Sequence, residues 1–215
     1  MSTSRLAIYS GALLLCGERS LASLTENREP RRALDEVWND GGVHQCLEQG
    51  QWKFAMNATQ FDYDPSIAPS WGYHYGVTKP SDWCATSAVC SDEYFRAPIL
   101  AYEDSAGVWW CDLQTIYVRY VSDDTLFGLN LANWPATFTD YVKAYFASRI
   151  IVRISNDQKR WAAINEIVKH NLGVAKNKDA MAGPALVPPP GSWNQARTRG
   201  TYRRDGGGTS GSLIG

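Results

Sequence analysis

The sequence predicts an α+β protein: a helical bundle of two N-terminal and two C-terminal helices, an inserted small antiparallel β domain, and an extended C-terminal tail. Three observations carry this prediction. Apolar residues recur at steps of three and four at both ends of the chain, as amphipathic helices require. Between Trp52 and Val121 the pattern changes to short aromatic and β-branched runs divided by Gly, Pro, Asp and Ser, which is a strand-and-turn pattern. Beyond Gly183 come Pro184, Pro188, Pro189 and Pro190 and then Gly206-Gly207-Gly208, a composition that cannot bury enough apolar surface to offset its own ordering entropy. The expected domains are residues 1–51 with 134–183 (helical), 52–133 (β-rich) and 184–215 (an extended arm).

Ser2-Thr3-Ser4 offers N-cap hydroxyls to a first helix over about residues 5–16, in which Leu6, Tyr9, Leu13 and Cys16 follow helical spacing and Gly17 is a natural stop. After a turn through Leu21, Leu24 and Asn27, Pro30 is tolerated in a first helical turn and opens a second helix reaching about residue 49. Leu34, Val37, Trp38 and Leu47 supply its apolar face. Gly41-Gly42 costs about 1 kcal/mol per glycine relative to alanine, so a bend or break is expected there. Strands are expected at residues 73–77, 99–102, 108–111 and 116–121, with a hairpin tip at 103–107. In the last of these strands Ile116, Val118 and Tyr120 share one face and Tyr117, Arg119 and Val121 the other. Helical spacing returns with Phe138, Tyr141, Val142, Tyr145, Phe146, Ile150 and Ile151, which predicts a third helix over 135–153. Asn156 or Asp157 can cap a fourth, carrying Trp161, Ile164, Val168, Leu172 and Ala175 to about residue 182.

With 215 residues, the chain can build one full core and a smaller second domain. The 44% hydrophobic content excludes wholesale disorder, and a net charge of −1 argues against a dedicated nucleic-acid binder. That total conceals an asymmetry. The last 32 residues hold four arginines and one aspartate, net +3, and leave the first 183 with 17 basic and 21 acidic residues, net −4. Cys16, Cys46, Cys84, Cys90 and Cys111 are odd in number and without CxxC spacing, so they are expected to be reduced, buried thiols. The apolar run at 12–16 is too short for a signal peptide, and no stretch approaches the roughly 20 residues of a membrane span. A soluble, reducing compartment and no membrane anchor are the expectation.

Catalytic, cofactor and metal sites are all expected to be none. His44, His74 and His170 lie in no nucleophile motif, and GxSxG, P-loop and HExxH patterns are missing from the sequence. The carboxylate pairs Asp62/Asp64, Glu103/Asp104 and Asp123/Asp124 are the material for an alternative, a cell-wall glycan hydrolase. Each pair falls at a turn, where Asp commonly bonds its own backbone. Cys84 and Cys90 are close in sequence and are expected to be packing thiols. The adjacent Trp109 and Trp110 must point to opposite faces of a strand, so with Tyr117 and Tyr120 they are expected to meet a nozzle or a neighbouring subunit. The arm interleaves Trp193 and Tyr202 with Arg197, Arg199, Arg203 and Arg204, the residue types enriched at binding hot spots.

Four ordered segments are similar to a known family. They are Cys16-Gly17-Glu18 with Leu21 and Ser23-Leu24-Thr25-Glu26; Gly50-Gln51-Trp52-Lys53-Phe54-Ala55; the aromatic-rich stretch 73–83 containing Lys79-Pro80-Ser81-Asp82; and Trp134-Pro135-Ala136-Thr137-Phe138 opening a long helix. Together they resemble the tail tubular protein A-like head-to-tail adaptors of short-tailed bacteriophages. The Gly41-Gly42 break and the long Pro/Gly arm depart from that pattern. The resemblance implies a virion protein at the head-tail junction, assembled in the host cytoplasm and not an enzyme. It implies a homo-oligomeric ring of twelve between the portal protein and the tail nozzle protein, near the tail fibres, through which DNA passes without specific binding.

Overall fold

The computed structural model describes residues 3–67, 72–155 and 157–183. Met1–Ala182 form one compact unit. The arm residues Trp193, Arg197, Arg199, Tyr202, Arg203 and Arg204 lie outside the described residues.

The described residues are mixed helix and sheet, with five α-helices and two small antiparallel three-stranded sheets among them. Helix α1, Arg5–Leu15, starts where the Ser4 hydroxyl accepts the Ala7 amide at 3.2 Å. It stops where Gly17 takes φ +76° and the Glu18 amide reaches back to the Leu13 carbonyl at 2.9 Å, the left-handed C-terminal motif that glycine makes easy. Helix α2, Glu29–Asn39, carries Pro30 in its first turn, and α3 is Gly42–Glu48. The expected break between them is made by Gly41 at φ +79°. Gly42 allows the close approach: a Cβ there would sit 2.6 Å from the Val37 carbonyl oxygen. Helices α4, Ala136–Ser155, and α5, Gln158–Met181, follow the sheets, and Asp157 caps α5 by accepting from the Lys159 amide at 2.9 Å.

The strands are β1 Met56–Asp62, β2 Tyr75–Thr78, β3 Trp83–Cys90, β4 Glu103–Ser105, β5 Val108–Cys111 and β6 Thr115–Ser122. One sheet has the order β1-β6-β3 and the other β2-β5-β4. The structure corrects the expected strand at 99–102. There Ile99 makes a backbone bond to the Val89 carbonyl, while pairing with β5 begins at Glu103, and the hairpin turn is Ala106-Gly107 with φ of +52° and +76°.

Two apolar clusters divide the interior. The larger gathers the buried faces of α1 to α5. At its centre Phe138 lies with its ring 4.8 Å from those of Trp52 and Phe54 and 4.9 Å from that of Trp134, mixing edge-on and tilted packing. The indole N–H groups are satisfied by backbone carbonyls, Trp52 by Cys46 at 3.2 Å and Trp134 by Gly128 at 2.7 Å. The smaller cluster lies between the sheets and is built from Val77, Val89, Trp109, Cys111, Ile116, Val118 and Tyr120. Strand β6 belongs to both, sending its even-numbered residues to the smaller cluster and Val121 to the larger.

Phe138→Ala is therefore expected to lower the unfolding free energy by about 3–5 kcal/mol, the usual cost of emptying a packed aromatic site. Urea denaturation checks this, and a loss below about 1 kcal/mol would show that the aromatic cluster is not the centre of the core.

Candidate functional site

The strand aromatics separate into two groups. Trp109 and Tyr120, expected at an inter-subunit or nozzle contact, are enclosed by their own chain, at 0% and 2% exposure. Trp109 donates its indole N–H to the Thr86 hydroxyl at 3.0 Å, and the Tyr120 hydroxyl donates to Asp82 at 3.2 Å and accepts from Asn57 at 3.0 Å. The second sheet supplies the cover that the sequence argument assigned to another subunit. Trp110 and Tyr117 are half-buried. Trp110 and Ile67 close over Gly76, where a Cβ would meet the indole at 2.9 Å and Ile67 at 3.2 Å. Much of the aromatic surplus is thus internal core. Beside Trp109, the Lys79 ammonium sits 3.3 Å from the centre of the Trp83 ring and pairs with Asp104, with its side chain only 7% exposed.

The most concentrated set of chemically capable side chains is His44, Cys84 and Asp123. Helix α3 presents His44, β3 presents Cys84, and the turn after β6 presents Asp123. His44 Nδ1 is 2.8 Å from Asp123 Oδ2 and 3.3 Å from Cys84 Sγ, while its Nε2 is 3.1 Å from Glu48 Oε1 one turn along α3. The sulfur is buried and the other groups are partly exposed, so the set opens to solvent on one side. Burial, reinforced by the carboxylates of Asp123, Glu48 and Asp82, pushes the Cys84 thiol up to about 12. It is accordingly a protonated thiol rather than a thiolate nucleophile. The sequence offered two of these residues singly, as a helical histidine and a packing cysteine. Their partners lie 40 and 79 positions away, beyond any local spacing motif.

The other candidates are dispersed. Asp64 accepts from the Ser66 amide at 2.9 Å, and Asp124 from the Leu126 amide at 2.8 Å, as turn residues do. Asp62 accepts from the Thr115 hydroxyl at 2.7 Å, and Glu103 is exposed on β4. His74 meets Asp112 at 2.7 Å on the surface, and the hydrogen bond from the imidazole holds the Asp112 carboxyl below its usual range. His170 is exposed on α5. Cys90, like the other four cysteines, is a buried free thiol.

Helix α5 offers an exposed surface. Ile164 and Ala175 are its buried residues, and α5 packs along α4. On another side Ile167, Val174 and Met181 stay exposed, as does Trp161 near the start of the helix. The first three are seven residues apart, so they drift only about 20° per step and form one stripe. Lys159, Arg160, Lys169, Lys176 and Lys178 are exposed on the same helix. The charge division sharpens accordingly: residues 1–157 hold 12 basic and 19 acidic side chains, net −7, and residues 158–215 hold nine and three, net +6. Among the described residues, no helix is long and apolar enough to cross a membrane. No protein-family model matches the chain, and no curated protein matches it.

Two outcomes follow from the thiol environments. At pH 8 no cysteine of the folded chain is expected to react rapidly with an aromatic disulfide reagent, and all five are expected to react once it is unfolded. One fast-reacting thiol in the folded protein would contradict the burial described. Cys16 is raised by burial to about 11 and Cys84 to about 12, from 9.0. A raised thiol favours folding below its unfolded pKa and loses that contribution as pH climbs to the folded value. The unfolding midpoint is thus expected to fall between pH 9 and 12 from these groups, and the decline should weaken in Cys16→Ala and Cys84→Ala.

Proposed function

We propose that the chain is a structural head-to-tail adaptor, a ring-forming subunit, twelve to the ring, that joins the portal of a short-tailed bacteriophage to its tail nozzle around the DNA channel. The observation that carries this is one side of α5, an apolar stripe flanked by Lys159, Arg160 and Lys178 on a chain whose residues 1–157 are net acidic. A ring interface is heterologous and needs two different, complementary patches on each copy. An apolar stripe calls for a partner surface, and the opposed charges orient it by complementarity. The four ordered segments that resemble the adaptor family point the same way. In this reading α1 to α5 are the adaptor's helical bundle, and the two sheets are its projecting β domain.

The acidic part of the chain fits a channel wall, because like charge suppresses binding to the phosphate backbone and lets DNA slide. The arm, residues 184–215, is the docking segment for the portal or a neighbouring subunit, through Trp193, Arg197, Arg199, Tyr202, Arg203 and Arg204. Trp110 and Tyr117 are the strand aromatics left for a nozzle contact.

Negative-stain microscopy of the purified chain with its portal is expected to show rings. The double variant Ile167→Asp/Val174→Asp should remain monomeric, with unchanged circular dichroism. Deletion of residues 184–215 is expected to abolish co-sedimentation with the portal. Rings formed equally well by the double variant would remove α5 from the interface, and a monomeric wild type beside its portal would contradict the adaptor reading.

A further inference from the structure

We infer that His44, Cys84 and Asp123 form a binding site for a divalent metal ion of the zinc class. Their three donor atoms lie within 4.8 Å of one another and come from three separate elements. A sulfur, an imidazole nitrogen and a carboxylate oxygen suit Zn²⁺ or Co²⁺, whereas Ca²⁺ and Mg²⁺ take oxygen alone. The inference is independent of the ring reading.

The spacing is close to what such an ion needs. Bonds of about 2.3 Å to sulfur and 2.0–2.1 Å to nitrogen and oxygen, at tetrahedral angles, place sulfur and nitrogen about 3.5 Å apart and nitrogen and oxygen about 3.3 Å apart. The observed separations are 3.3 Å and 2.8 Å. Opening the set by a few tenths of an ångström admits the ion, and the exposed sides of His44 and Asp123 leave its fourth position to water.

The hydrogen bonding supports the assignment. His44 Nδ1 is hydrogen-bonded to Asp123 Oδ2 at 2.8 Å and lies 3.3 Å from Cys84 Sγ, so the three donor atoms already converge. With a metal ion on Nδ1, Glu48, 3.1 Å from Nε2, stands where the carboxylate partner of a metal-bound histidine usually stands. As the metal-sulfur bond forms, the Cys84 proton leaves to solvent. The resulting thiolate and the Asp123 carboxylate then balance the two positive charges. A filled site would tie α3 to β3 and to the end of β6.

The test is a cobalt titration of the full chain after chelator treatment. It is expected to give a near-ultraviolet thiolate-to-cobalt charge-transfer band that saturates at one ion per chain and disappears when zinc is added. Cys84→Ser should remove the band while the circular dichroism spectrum is kept. Glu48→Ala, which leaves all three donors in place, should weaken binding by about tenfold. Absence of the band in the folded wild type would show that only a proton bridges these groups and would overturn the inference. A band that persists in Cys84→Ser would place the metal elsewhere and overturn it equally.

Discussion

Strand β6 has to satisfy two cores at once, and the rest of the structure is arranged around that constraint. It is the central strand of its sheet, paired with β1 from Met56↔Val121 onward and with β3 from Trp83↔Ser122. Ile116, Val118 and Tyr120 fill the space between the sheets, while Val121 turns to the helices. One face therefore recruits β2 and β5 as a cover, and the other fixes where the helical core begins. The strand's exit is equally constrained. The Ser122 hydroxyl donates to Asp82 at 2.5 Å, and the next residue, Asp123, is delivered to His44. A strand with only one buried face would leave neither the second sheet nor this corner defined.

The parts that could be read from the sequence are those whose information is local. The Ser4 and Asp157 caps, the Gly17 stop, the Gly41-Gly42 break and the alternation in β6 are decided by a few neighbouring residues, and the structure has each of them. Strands β1 and β3 are weakly marked locally, because Asn57, Ala58 and Gln60, and Ala85, Ser87 and Ala88, lack the aromatic and β-branched character that marks a strand. Pairing with β6 holds them in place, and pairing is a tertiary fact. Cover on both faces of β5 is likewise a tertiary fact: the chain encloses Trp109 through the opposing sheet and covers Trp110 in part, through Ile67 over Gly76.

The candidate sites divide along the same line. His44, Cys84 and Asp123 meet only through the fold, so no spacing rule announces them. The α5 surface was hidden for another reason. Its apolar residues serve two sides of one helix, and the periodic pattern Trp161, Ile164, Val168, Leu172 and Ala175 leaves out the exposed set, Ile167, Val174 and Met181. Only the packing of α4 separates them. Once they are separated, the chain is electrically polar, with its positive charge concentrated from residue 158 onward. This polarity links the proposed ring contact to the proposed channel, because in that reading the acidic remainder would meet both the next subunit's cations and the DNA.

Carbodiimide cross-linking of complexes assembled from mixed light and heavy isotope-labelled chains, read by mass spectrometry, tests the account most directly. It predicts light-to-heavy links joining Lys159 or Lys178, which flank the apolar stripe of α5, to carboxylates within residues 1–157 of a different copy. Links from these lysines found only within single copies would contradict it.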